Sequence, residues 1–235
     1  LEEREKARLL SAVDLLESLS WEEVERLSRR LPEMSLNRGQ VLFTPAHQGR
    51  VVFLLLQGRV RLYRVAEGRE ITLGVVGTGE MFGEAALTAG RRHGSYAQAA
   101  EPSEVALMSR DTFHRLVHDR PEVGVKATEL LSKRLSICED RMADIGLREV
   151  PARLAALVLH LCESEGVVTG EGYKIPIRYT HEQLGAMIGS KRVAATRAFT
   201  KLKEAGALEL KRRYIYVRDV EALKLIAGGE QGWRR

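Results

Sequence analysis

Tyr179 to Lys203, YTHEQLGAMIGSKRVAATRAFTKLK, constrains the fold more than any other stretch, because it spaces two short apolar faces around a single glycine. Thr180 followed three residues later by Gln183 is the signature of a capping box, and Leu184, Met187 and Ile188 then supply the face of a first helix. Gly189 is expected to end it. After Ser190, Val193, Ala194, Ala198, Phe199 and Leu202 recur at helical spacing, while Lys191, Arg192, Arg197, Lys201 and Lys203 fall outside that face. A basic helix that follows a capped helix and a glycine turn is the outline of a DNA-reading helix-turn-helix.

Gly206 stands where a helix C-cap is expected, and the following ALELKRRYIYV alternates apolar and polar residues around Lys211, Arg212 and Arg213. The pattern predicts a two-stranded wing with a charged tip. Between Ser190 and Arg213 eight Lys and Arg face two acids, whereas the whole chain of 235 residues carries a formal net charge of +5. Positive charge gathered on one element is the footprint of phosphate-backbone binding. A basic triplet alone reads equally well as a solvated face, and the capped turn beside it is what favours DNA.

With 44% hydrophobic and 29% charged residues, the chain has room for about two domains, each with its own core. It holds no run of about 18 apolar residues that would span a membrane. The opening LEEREKARLLSA is charged and helix-prone, unlike a signal sequence, so a cytoplasmic protein is expected. Cys138 and Cys162 are too few and too isolated for a four-cysteine iron–sulfur cluster or a disulfide framework. Both fall in apolar helical patterns and read as buried core thiols. The C-terminal GGEQGWRR reads as a flexible tail.

From Gly39 to Met108 the β-rich runs VLF, VVFLLLQ, VRLYRV, EITLGVV, YAQAA and EVALM alternate with glycine-bearing turns. Many short strands with glycine corners predict an antiparallel roll or barrel. Rolls of the cupin kind hold metal through closely spaced histidines, but His47, His93, His114 and His118 form no His-x-His pair. His114 and His118 stand at i, i+4 spacing, which a surface helix face explains better than a metal site. The chain also lacks the G-x-S-x-G of a serine hydrolase, and no nucleophile, acid–base pair or metal set supports an enzyme.

Leu131, Leu135, Cys138, Met142 and Ile145 follow the alternating spacing of a heptad seam. A second subunit should pack there; a monomer that buries the stripe against its own roll is the alternative. Two readers joined by such a helix pair would meet a pseudo-palindrome with half-sites one helical turn apart. Between Gly146 and Pro151 the helix should break and leave a hinge, and ARLAALVLHLCES (152–164) is apolar enough to be core. The fold class is therefore α+β: an effector-binding antiparallel β-roll (1–121), a dimerisation helix (122–146) and a winged helix-turn-helix (147–235).

Roll, dimer helix and winged helix-turn-helix, in that order over the whole chain, resemble the Crp/Fnr superfamily of bacterial transcription regulators. The matching motifs are GEMFGEAAL from Gly79 to Leu87, LLSKRL in the dimer helix and IGSKRVAATRAFTKLKEAGAL in the reader. The wording from ARLAALVLHLCESEGV through THEQLGAMIGSKRVAATR is most similar to the NtcA-type nitrogen-control branch. The resemblance implies that Arg192 lies on a guanine, bidentate to O6 and N7, with Arg197 a second base reader. Val193 stands where the cyclic-AMP receptor branch has a glutamate, and it would favour a thymine methyl, so the half-site should be nearer GTA than TGTGA. Ser190, Lys191, Lys201, Lys211, Arg212 and Arg213 are expected on phosphates; Thr180 is expected to be mainly a cap and secondarily a phosphate contact. RNA polymerase is the further partner implied.

Cyclic-nucleotide binders of this family carry a phosphate cassette that runs F-G-E-L through R-S. This chain keeps Phe82, Gly83, Glu84 and Ser95, but the arginine position is Gly94, and the threonine–serine pair that reads adenine is Cys138 and Glu139. Losing a charge-assisted pair to the phosphate makes an ordinary cyclic-AMP site unexpected. Arg91 and Arg92 lie on a glycine-bounded loop and read as solvated. The nitrogen-control branch binds 2-oxoglutarate between roll and helix, and its arginine and glutamate line up with Arg134 and Glu139. That pair reads equally as ligand contacts or as the interchain ion pair of a parallel dimer, and the charge of Glu84 would repel a dicarboxylate. The effector is thus 2-oxoglutarate, a nucleotide or none, the last giving a regulator active without ligand. A ligand-binding module with a degenerate winged helix and no DNA function is the competing class.

Overall fold

Five successive buried residues, Val52 to Leu56, require a strand covered on both faces. In the computed structural model, which describes residues 2–170, 172–212 and 214–228, that strand lies in a two-sheet roll. The chain divides into two compact units, Leu1–Arg69 with Leu73–Ser136 and Glu70–Thr72 with Ile137–Arg235.

The first unit opens with α1 (Glu3–Ser11) and α2 (Trp21–Ser28). The strands are β1 (Glu33–Leu36), β2 (Val41–Phe43), β3 (Val51–Gln57), β4 (Val60–Ala66), β5 (Arg69–Val76), β6 (Met81–Phe82), β7 (Tyr96–Ala99) and β8 (Ser103–Ser109), followed by α3 (Arg110–Asp119). They form two four-stranded sheets, β1-β8-β3-β6 and β2-β7-β4-β5, with antiparallel pairing. The six expected β-rich runs are β2, β3, β4, β5, β7 and β8. β1 and β6 fall outside that pattern because EMSL buries only Leu36 and MF is two residues long. Phe43, Phe53 and Phe82 meet in the roll core, with ring centroids 5.5, 6.1 and 5.1 Å apart. His114 and His118 are both exposed on α3.

α4 (Pro121–Leu147) follows. Its Val123 and Ala127 are buried and Leu131 is half-buried against the core that joins the helices to β3. Leu135, Met142 and Ile145 are 60%, 72% and 45% exposed, and Cys138 is exposed with them. The heptad stripe is thus half-buried at Leu131 and exposed from Leu135 onward. This corrects the expectation of a buried Cys138 thiol: a seam and a core give the same apolar spacing, and here the residue is exposed. Cys162 is buried, and burial pushes its thiol up.

The second unit continues with α5 (Val150–Glu165), β9 (Val167–Thr169), β10 (Gly172–Ile175), α6 (His181–Met187), α7 (Arg192–Glu204), β11 (Leu208–Lys211), β12 (Tyr214–Val217) and α8 (Val220–Ile226). α4 and α5 part between Leu147 and Val150, with Pro151 in the first turn of α5, where proline is tolerated because the amide it lacks has no helical partner. Leu154, Val158 and Leu161 of α5 pack with Phe199, Leu202, Ile215 and Leu223. The expected wing is β11–β12, but it is half of a four-stranded sheet in the order β11-β12-β10-β9, not a free hairpin. Arg213 and all of the C-terminal GGEQGWRR except Gly228 lie outside the described residues.

Candidate nucleic-acid interface

α6 starts as its sequence dictates. Thr180 Oγ1 accepts from the Gln183 amide at 3.1 Å while Gln183 Oε1 accepts from the Thr180 amide at 2.9 Å, so Thr180 is occupied as a cap. Gly189 follows at φ +63°, a left-handed conformation that disfavours any Cβ. The Ser190 amide then donates to the Gly185 carbonyl at 2.8 Å and draws the turn onto α6. A Cβ on Gly185 would stand 2.9 Å from the Ser190 carbonyl oxygen and 3.3 and 3.4 Å from backbone atoms of Lys191 and Arg192. Gly185 therefore sets how closely the start of α7 approaches α6. Apolar periodicity does not mark Gly185, although a glycine inside a short helix is itself a signal of close packing. Gly185→Val is expected to cost about 1 to 3 kcal/mol of stability, checked by denaturant unfolding, because backbone and not a flexible side chain must give way.

α7 buries Ala195, Ala198, Phe199 and Leu202. This corrects the expected face: Val193 is 62% exposed and Ala194 is only half-buried. Phe199 and Leu202 anchor the helix, and the inward position one turn before Phe199 is Ala195. Arg192, Val193 and Arg197 are all exposed on the side turned away from the core. His181 fixes α6 to α7 through Nδ1 at 2.9 Å from Thr196 Oγ1 and through its ring, 5.2 Å from that of Phe199. At about 20 Å, α7 is long enough to lie in a major groove about 12 Å wide with its first turn on the base edges.

Cations stand at both ends of this helix and on the wing that follows it. Lys191 is its N-cap residue and makes no side-chain cap bond, Ser190 is half-buried, and Lys201 is exposed in the last turn. At the wing, Lys211 is exposed and pairs with Glu209 at 3.5 Å, and Arg212 turns the tip at φ +50°. Arg218 also holds Glu209, and chiefly through that bond keeps its carboxyl below the ordinary carboxylate value. Lys174 and Arg178 lie over the Tyr214 ring at 4.2 and 4.9 Å. These two cations lie outside the basic run and reach the wing through the pairing of β10 with β12.

In the roll, Gly83 has φ +82°, and a Cβ on it would meet the Phe53 ring at 2.7 Å and the Val51 carbonyl oxygen at 2.9 Å. Packing alone thus requires this cassette glycine. Phe82 is fully buried. Arg134 pairs with exposed Glu84 at 3.4 Å and donates to the Met81 carbonyl at 2.7 Å. The sequence allows Arg134 a ligand or Glu139 as partner; among the described residues it pairs instead with Glu84 of the cassette and with the Met81 carbonyl just before it. Cys138 and Glu139 are exposed on α4. Ser95 is half-buried beside Gly94, whose carbonyl accepts from Arg64 Nε at 2.7 Å. Arg91 is exposed, and Arg92, also exposed, donates to the Ala46 carbonyl at 3.1 Å. His93 is buried against Phe43, ring centroids 3.7 Å apart, and burial holds its pKa below the usual histidine value.

Residues 33–120 match the cyclic nucleotide-binding domain, and residues 152–226 match the Crp-like helix-turn-helix domain. A global nitrogen regulator of Synechococcus elongatus is 30% identical over 189 residues, which cover 79% of this chain and 85% of that protein. The chain belongs to the Crp/Fnr family of transcription regulators. The CRP-like cAMP-activated global transcriptional regulator of Mycobacterium tuberculosis is 25% identical over 217 residues, 92% of this chain and 96% of that protein. A CooA mutant from Carboxydothermus hydrogenoformans shares the fold at a TM-score of 0.79 and 21% identity, over 92% of this chain and 95% of that one. In this Crp/Fnr regulator the helix-turn-helix match spans α5 to α8, and the cyclic nucleotide-binding match begins at β1. Among its described residues no helix is long and apolar enough to cross a membrane.

Proposed function

We propose that this Crp/Fnr regulator acts as a homodimer that reads a pseudo-palindromic, GTA-like DNA site, working in the cytoplasm by binding and not by catalysis. The observation that carries the reading is the outward side of α7, where Arg192, Val193 and Arg197 face solvent on a helix whose other side is core. A forked guanidinium suits guanine O6 and N7, and valine methyls suit a thymine methyl. The uncovered seam from Leu135 to Ile145 supports two-fold pairing. Ser190, Lys191, Lys201, Lys211 and Arg212, with Arg213 added from the sequence, take phosphates, and Thr180 contributes mainly as a cap. The roll (1–121) carries regulation, the helix (122–146) joins subunits, the remainder (147–235) reads DNA, and RNA polymerase is the partner that turns occupancy into transcription. Replacing both Lys211 and Arg212 with alanine removes two cations from each subunit, and should weaken binding to cognate and scrambled duplexes alike and reduce the slope of log K against log salt by about 2 to 4. A loss confined to the cognate duplex would contradict the phosphate assignment.

Activity without ligand is a second reading, favoured by the closure of Arg134 on Glu84 and the Met81 carbonyl. One relative is named for cAMP activation and another for nitrogen regulation. Here a 2-oxoglutarate carboxylate would have to displace Glu84 to take Arg134, and Gly94 offers no guanidinium to a cyclic phosphate. An effector acts only through unequal affinity for the two dimer states. DNA affinity unchanged by millimolar cyclic AMP or 2-oxoglutarate is the result expected of a ligand-free regulator; a rise with 2-oxoglutarate that Arg134→Ala abolishes would overturn it.

A further inference from the structure

We infer that Arg153 and Ile145 form the seat that fixes the reader's turn to the dimer helix, with Arg153 a positioning residue for paired half-sites. The inference rests on the dimeric reading above and names the contacts that would carry it. Arg153 projects from the first turns of α5, and its Nη1 donates to the Ile188 carbonyl at 2.9 Å. Ile188 caps the C-terminal end of α6, where a carbonyl has no partner within its own helix. Arg153 is half-buried, and its Nε is buried without a hydrogen-bond partner among the described residues. Beneath the next residue sits Ile145: a Cβ on Gly189 would stand 3.1 Å from Ile145 Cδ1, 3.4 Å from its Cγ1 and 3.7 Å from Arg153 Nη1.

Ile145 is also the last residue of the exposed heptad stripe. A single side chain thus faces the position of a second subunit and supports the turn from which Ser190, Lys191 and Arg192 lead into α7. A shift of the seam at Ile145 reaches the first base-reading residue within four residues of backbone, and Arg153 prevents the turn from sliding on its seat. Loss of that bond should leave each reader competent on its own half-site and loosen the distance between the two readers.

The test uses the full chain and duplexes with two GTA half-sites about 10 bp apart, the same pair with one or two base pairs inserted, and a single half-site. Wild type should prefer the original spacing. Arg153→Met, which keeps the aliphatic stem, should narrow that preference by about tenfold, the size of coupling usual within one contact network, while single half-site affinity and melting temperature stay near wild type. Arg153→Lys, which keeps a donor, should restore part of the preference. Ile145→Ala, confirmed dimeric by sedimentation, provides the same readout should Arg153→Met fail to fold. Wild-type spacing preference in these variants overturns the inference, as does a parallel loss of single half-site binding. A wild type with no spacing preference overturns the dimeric reading itself.

Discussion

Arg192→Ala is expected to lower affinity for a cognate duplex by about 1 to 3 kcal/mol per half-site, roughly 5- to 150-fold, and to erase the preference for guanine at one base pair. Arg192 is the first residue of α7 and is exposed. Its removal leaves the Ala195, Ala198, Phe199 and Leu202 face intact, so unfolding free energy should move by no more than about 0.5 kcal/mol. Lysine should not replace it, because a single ammonium cannot make the two parallel bonds of a guanidinium. Anisotropy titrations against duplexes carrying each base at that position distinguish a base reader, whose loss is confined to one position, from a phosphate contact, whose loss is uniform. Unaltered binding to every duplex would favour the competing class, a ligand-binding module without DNA function.

Leu135→Asp combined with Met142→Asp should produce a monomer that has lost about 10²- to 10⁴-fold of its affinity for the palindrome. Both side chains are largely exposed in the single chain, so the substitutions leave its own core untouched. In a two-fold helix pair each aspartate would face its own copy, placing like charges in a seam that excludes water. Affinity for an isolated half-site should be unchanged, since Leu135 and Met142 lie outside the core that builds α6 and α7. Sedimentation gives the mass and anisotropy the affinity. A double variant that remains dimeric would place the subunit contact on another surface.

What was legible in the sequence was local. The Thr180–Gln183 box is written within four residues, and the Gly189 turn in one, so both could be read directly. The inward face of α7 needed an anchor: periodicity alone permitted Val193, and only the seating of Phe199 and Leu202 brings Ala195 inward. Cys138 shows the converse problem, since apolar spacing marks a stripe without saying whether the same chain covers it. Contacts between distant residues left no pattern. Glu84 and Arg134 are separated by 50 positions, and the Arg153–Ile188 bond by 35. Lys174 and Arg178 reach Tyr214 only because β10 pairs with β12.

The most direct measurement is binding of the purified wild-type chain, without added ligand and at one near-physiological salt concentration, to a fluorescent GTA-type palindrome and to the same duplex with both half-sites scrambled. A dimeric reader of this site should bind the palindrome about 10³-fold or more tightly than the scrambled duplex, with two chains per duplex. Equal affinity for the two would contradict sequence-specific reading by α7.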